Sequence, residues 1–167
     1  GGTLRWLDGR RQAPPLALAD VQLLLRNRGR RHELRLDATP PPDWGERFAI
    51  IAQARGALLS RPGDWRRWKG TLHVDLPRAD VSQLRRHVSL PVDLQQGRAA
   101  LRAWLDFDAG APQALTLDAV LRGVSVQLAR GLAPVGLADL SGRLVAQRQG
   151  NGMRLALQGF GFSLPDG

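Results

Sequence analysis

Residues 96–108 read QGRAALRAWLDFD, and from Leu101 onward apolar and polar side chains alternate with a period of two. Successive side chains of a β-strand point to opposite faces of the sheet, so this period predicts one apolar and one polar face. Leu101, Leu105 and Phe107 fall on the apolar face. The stretch therefore predicts a half-buried β-strand.

The same period recurs downstream, in runs that are separated by Gly, Pro, Asn and Asp. The apolar positions of these runs include Leu115, Leu117, Leu121, Val124, Val126, Leu155 and Leu157. Repeated short strands with turn residues between them predict a mainly β fold, which we expect to be a curved, mostly antiparallel sheet. The period alone permits a sandwich, a barrel or an open trough.

The first half of the chain continues the pattern. Leu16–Arg26 and Arg31–Ala38 are predicted to form a hairpin across residues 27–30. Three consecutive prolines, Pro40 to Pro42, follow the hairpin and prevent its continuation, because proline supplies no N–H to a sheet. A strand over 68–76 is predicted to end at Pro77. Near the other end of the chain, Asn151-Gly152 is the signal of a type I′ hairpin turn.

One short helix is predicted near residues 80–88. Asp80 is placed to cap it, and Gln83 stands three residues later, as in a capping box. Val81, Leu84 and Val88 then share one side. A helix this short needs tertiary packing, so we expect it to lie on the sheet or to close one of its ends.

Composition fits one folded unit. The chain has 167 residues, of which 43% are hydrophobic and 23% charged, and it contains no cysteine. We expect a single β-rich segment, 1–167, of a longer protein, comprising a hairpin region 1–59, a loop 60–67 and a meander with the short helix 68–167. The uncharged stretch 155–165 is too short for a membrane span, which needs about 20 apolar residues.

The net charge is +9, and only Lys69 among the 24 basic residues is a lysine. Arg26, Arg28, Arg30 and Arg31 are the densest basic cluster. Two interpretations of this cluster are possible. It is either a solvated hairpin tip or a contact for the phosphate of nucleic acid or of a lipid head group. Trp65 and Trp68 bracket two arginines, but the chain has no tyrosine and no RNP-like sequence, so nucleic-acid binding is not expected.

Residues with catalytic potential are scattered. His32, His73 and His87 are far apart, and Asp106 and Asp108 immediately precede a turn. No glycine-rich phosphate-binding motif opens a helix, and Gly159 and Gly161 are instead expected to mark bends in a strand. We therefore expect no catalytic site, no metal site and no cofactor.

Three strings resemble the YhdP family of AsmA-like proteins: WKGTLHVDLPRAD at 68–80, GRAALRAWLD at 97–106 and LADLSGRL at 137–144. The resemblance extends in order through essentially the whole chain. It implies a periplasmic segment of a long envelope protein of Gram-negative bacteria, anchored in the inner membrane by another part of the protein. It also implies a role in moving phospholipid towards the outer membrane and in outer-membrane homeostasis.

Under this resemblance, the apolar face is expected to be a groove for phospholipid acyl chains, bordered by adjacent β segments of the same long chain. The candidate groove residues are Leu101, Leu105, Phe107, Leu115, Leu117, Leu121, Val124, Val126, Leu155 and Leu157. Contact with the membrane is expected through other parts of the protein. The alternatives are a structural β-sandwich with a closed core and a basic nucleic-acid-binding β domain.

Overall fold

The computed structural model of the chain describes residues 2–6, 15–56, 65–87, 93–127 and 133–165. Within them, nine strands form one sheet in which sequence neighbours are also spatial neighbours. The strands are β1 Gly2–Trp6, β2 Leu16–Arg28, β3 Arg31–Thr39, β4 Phe48–Arg55, β5 Lys69–Asp80, β6 Asp93–Asp108, β7 Ala111–Gln127, β8 Val135–Gln149 and β9 Gly152–Ser163.

Every pairing in this sheet is antiparallel. The sheet is not closed, and β1 and β9 are its two edges. The predicted fold class, a mainly β antiparallel sheet with one short helix, is confirmed. The described residues contain no second sheet, so they do not form the closed sandwich.

Two-residue turns join three of the hairpins. The predicted hairpin of β2 and β3 is confirmed, but its turn spans Arg28–Arg31, one residue later than 27–30. Gln149 pairs with Gly152, so Gly150 and Asn151 occupy the central positions of that turn, rather than Asn151 and Gly152. The reason is backbone conformation: Gly150, at φ +57°, takes the first turn position, where a type II′ turn places glycine.

Strand β5 does not end at Pro77, contrary to the prediction, but continues to Asp80. The register with β6 shifts between Leu76 and Ala79, which places Pro77 in a bulge. A bulge suits proline because it interrupts the ladder of hydrogen bonds at the position where the N–H is missing.

The predicted helix is present as α1, Val81–His87. Asp80 caps it by accepting a hydrogen bond from the Gln83 N–H at 3.1 Å. The Asp80 N–H donates to the Trp44 carbonyl at 2.7 Å, so the cap is tied to the β3–β4 connection. A short 3-10 turn, Trp65–Arg67, falls in the predicted loop 60–67, of which 60–64 lies outside the described residues.

A compact core lies where α1 covers one end of the sheet. Its members are Val81, Leu94, Ala99, Leu121, Val124 and Val126. Gly97, with φ +118°, makes this packing possible, because a Cβ there would lie 2.6 Å from Cγ1 of Val124. The helix thus packs on one part of the sheet, mainly against β5 and β6.

Bulges and positive-φ residues interrupt several strands and accompany the bending of the sheet. The predicted bend in β9 is confirmed at Gly159, where φ is +57° and the register with β8 shifts. Gly161 instead pairs regularly with Ser141. No described helix has the length and apolar composition of a membrane span.

Candidate functional site

The register of the sheet brings apolar side chains from eight strands onto one face, which we call the apolar face. One row of directly paired residues runs Leu23, Leu36, Ile50, Val74, Ala103, Leu117, Leu144, Leu157. The next row runs Leu25, Leu34, Ala52, Leu72, Leu105, Leu115, Ala146, Leu155. Since neighbouring strands lie about 4.8 Å apart, each row extends about 34 Å across the sheet.

Most of this face is not covered by a second layer of described protein. From β3 to β8 the row residues are half-buried by their neighbours on the sheet, except Ala146, which is buried. Towards the edges they become exposed: Leu23 is 65% exposed, and Leu155 and Leu157 are each 66% exposed. A contiguous apolar surface of this kind is typical of a binding surface rather than of the outside of a monomer.

The ten predicted groove residues divide into two groups. Seven of them are not core members and lie on the apolar face: Leu101, Leu105, Phe107, Leu115, Leu117, Leu155 and Leu157. Leu101, among these, packs against the core. Leu121, Val124 and Val126 are buried in the core beneath α1. These three side chains support the helix and are closed to contact from outside.

The predicted groove residues lie between 101 and 157, and the half of the apolar face formed by β2 to β5 was not predicted. Leu34, Leu36 and Ile50 contribute to the same rows, as do Leu72 and Val74. The signal was present, because these residues also alternate with polar ones. Phe160 and Phe162 were not predicted, because the bulge at Gly159 shifts the alternation by one residue and so places even-numbered residues on the apolar face beyond it.

The opposite, polar face carries a ladder of alternating charges. Asp75, Arg102, Asp118 and Arg143 occupy directly paired positions on β5 to β8. Arg143 Nη2 donates to Asp118 Oδ2 at 2.8 Å, and Arg102 Nε donates to Asp75 Oδ1 at 3.4 Å. Such cross-strand pairs favour this register over a slipped one.

Hydrogen bonding perturbs ionisation on the polar face. The hydrogen bond from Arg143 lowers the pKa of Asp118 below its ordinary value, with a further contribution from the positive charge of Arg143. Arg35 lowers the pKa of Asp37 in the same way. Both pairs are open to solvent. Ion pairs of this kind stabilise the sheet weakly.

The residues with catalytic potential do not converge. His32 Nδ1 donates a hydrogen bond to Oδ1 of Asn27 at 2.8 Å, and the His32 ring stacks on Trp68 with ring centroids 4.2 Å apart. His73 stacks on Trp104 on the polar face, as the alternation predicted for Trp104. The side chain of His87 lies outside the described ones. Among the described residues, no cluster of three acids or histidines is placed to hold a metal ion.

The carboxylates near the Ala109–Gly110 turn are also separate. Asp106 is exposed, and Asp108 pairs with Lys69 at 3.6 Å. Arg30, of the basic cluster, is held by the carbonyl of Gly56, to which its Nη2 donates at 2.7 Å. Among the described residues, the main candidate binding features are therefore the apolar face and the charged side chains of the polar face.

Comparison with known proteins adds one finding. The family model described as YhdP protein matches residues 2–167. No curated protein and no solved structure matches the chain.

Proposed function

Because the chain belongs to the YhdP family, a family of envelope proteins, we propose that it is a non-catalytic segment of a phospholipid-transfer groove. In this role the apolar face contacts acyl chains while the polar face remains in water. The observation that carries the proposal is the pair of apolar rows, eight residues each, on a sheet that is open.

The solvent-exposed area of the chain favours an open apolar surface rather than a closed core. The chain exposes 11681 Å². A compact monomer of 18.3 kDa is expected to expose about 8,100 Å². A single-layer sheet contributes to this excess, since neither face of the described sheet is fully covered.

An apolar wall is sufficient to hold an acyl chain. Each CH₂ group removed from water contributes about 0.8 kcal/mol, so affinity grows with the length of chain in contact and needs no specific polar group. The rows also lack a polar interruption across eight strands, which suits a ligand that slides along the surface.

The two edges of the sheet support a place within a longer protein. β9 is exposed along its whole length and carries Phe160 and Phe162 with Leu155 and Leu157 on the apolar face. An exposed, apolar edge strand invites pairing with another strand. We infer that adjacent β segments of the same chain extend the sheet beyond β1 and β9, so that the groove continues.

The location follows from the same proposal. A groove that carries phospholipid towards the outer membrane lies in the periplasm, and its membrane anchor belongs to another part of the protein. The resemblance of the sequence to AsmA-like proteins supports this placement.

Site-specific photo-crosslinking in cells tests the proposal. A crosslinker at Leu117 or Leu155, on the apolar face, is expected to capture phospholipid. The matched controls are Thr116 and Ala156, which are sequence neighbours on the opposite face and are expected to capture none. Equal capture from both faces, or capture from the controls alone, would contradict the groove.

A further inference from the structure

At the hairpin end of the sheet, the last paired row of the polar face holds four cations side by side. Arg28 pairs with Arg31, Arg31 with Arg55, and Arg55 with Lys69. All four residues are exposed. We call this set the cation row; with strands about 4.8 Å apart it extends about 14 Å.

The cation row is unlike the rest of the polar face, where charges alternate. Like charges directly opposite one another destabilise a sheet. Lys69 has a carboxylate partner in Asp108, 3.6 Å away. Arg28, Arg31 and Arg55 form no ion pair with any residue that the structure describes.

Acidic residues lie near the row but do not neutralise it. Glu33 and Asp106 occupy the next row inward on the same face. Arg31, Arg55 and Lys69 line a shallow depression of about 300 Å³, together with Glu33. The row therefore retains a net positive charge that an anion would balance.

A second depression opens on the apolar face at the same end of the sheet. It has a volume of about 470 Å³ and is lined mainly by apolar side chains, including Leu25, Leu34, Phe107 and Trp68. Asn27, His32, Ala54 and Gly70 are one position inward from the cation row along their strands. This end of the sheet thus presents an apolar depression and a cationic rim next to each other.

We propose that the cation row binds the phosphate of an anionic phospholipid head group whose acyl chains lie on the apolar face. Arginine suits phosphate because its planar guanidinium donates two parallel hydrogen bonds. The adjacent apolar depression favours a lipid over nucleic acid. Base stacking would require a free aromatic ring among the cations, whereas the described Trp68 ring stacks on His32. This inference rests on the proposed function.

Vesicle binding by the 167-residue chain tests the inference. The vesicles are phosphatidylcholine alone or phosphatidylcholine mixed with phosphatidylglycerol. The test variant is Arg31→Gln/Arg55→Gln, and the control, Arg86→Gln/Arg154→Gln, removes the same charge at α1 and β9. Each cation at an anionic membrane surface contributes about a fivefold change, so the test variant is expected to bind the anionic vesicles about 30-fold more weakly.

The control variant is expected to lose much less, and thermal unfolding of the test variant is expected to stay unchanged or to shift upward, because a repulsion has been removed. An equal loss in both variants would show that net charge alone drives binding, and would overturn the inference. Tighter binding of a single-stranded oligonucleotide than of anionic vesicles would also overturn it, as would row-dependent binding of inorganic phosphate without any preference for the vesicles.

The outcome is separable from that of the proposed function. Capture of phospholipid at Leu117 together with unchanged vesicle binding of the Arg31→Gln/Arg55→Gln variant would reject the cation row alone. Loss of vesicle binding in that variant together with no capture at Leu117 would reject the groove, and with it the placement of the acyl chains, but not the binding of the head-group phosphate by the cation row.

Discussion

Replacing Leu121, Leu155 and Leu157 one at a time by alanine measures whether the apolar face is open. Each substitution removes the same atoms, but Leu121 is only 6% exposed whereas the other two are each 66% exposed. Truncation of a leucine within a packed core costs about 3 kcal/mol. For a side chain that is one third buried, the transfer contribution is only about 0.5–1 kcal/mol.

These costs predict separate shifts in stability. A domain of this size loses about 2–4 °C in Tm per kcal/mol, so Leu121→Ala is expected to lower Tm by about 6–12 °C. Leu155→Ala and Leu157→Ala are each expected to lower it by about 1–4 °C. Urea unfolding followed by tryptophan fluorescence and circular dichroism measures the same differences as free energies, provided that the m-value is unchanged.

A loss of about 3 kcal/mol in all three variants would contradict this expectation. That result would mean that a further layer covers β9 in solution and that the apolar face is part of a closed core. A small loss in all three would instead show that the core under α1 is not packed as described.

Three other changes have defined outcomes. Asp80→Ala removes the cap of α1 and is expected to cost about 1 kcal/mol in urea unfolding, whereas Asp80→Ser keeps most of the stability. Folding lowers the pKa of Asp118, so its stabilising contribution is present above the unfolded pKa, about 4, and is lost as the pH falls through the lower folded value. In Arg143→Gln, an NMR titration is expected to show the Asp118 pKa back in its ordinary range, and an unchanged value would contradict the assigned cause. Ala109 has φ +50° in its turn, so Ala109→Gly is expected to raise stability by about 0.5–1 kcal/mol, and a lower Tm would show that the strain is absent.

The strands and the helix could be predicted from the sequence because their signals depend only on residues close together in the chain. Alternation identified the strands, because the period of two follows from backbone geometry alone. Asp80 and Gln83 predicted the helix, since a cap depends on residues three positions apart. The prediction at Pro77 was wrong because a bulge, which depends on the partner strand, accommodates the missing N–H.

The candidate site was predicted only in part, for a related reason. Leu117 and Leu155 share a face by period, but the burial of Val124 and Val126 depends on α1 packing over them. A sequence pattern cannot distinguish an apolar side chain that faces solvent from one that faces a helix, because both occupy the same phase of the strand.

The arginines also show the difference between residues that are neighbours in the sequence and residues that strand pairing brings together. The sequence groups Arg26, Arg28, Arg30 and Arg31. In the folded chain Arg30 is held by a carbonyl, and Arg26 lies opposite Glu33. The cation row instead joins Arg28 and Arg31 to residues from β4 and β5, through strand pairing that no local pattern specifies.

The sequence by itself determined that this protein is a β-sheet with one apolar and one polar face, because side-chain alternation is a property of each strand taken alone. Tertiary structure decided that the sheet stays open and that α1 covers only one end of it. It also decided which residues form continuous rows, because rows depend on register, and register is set by the turns, bulges and cross-strand pairs acting together.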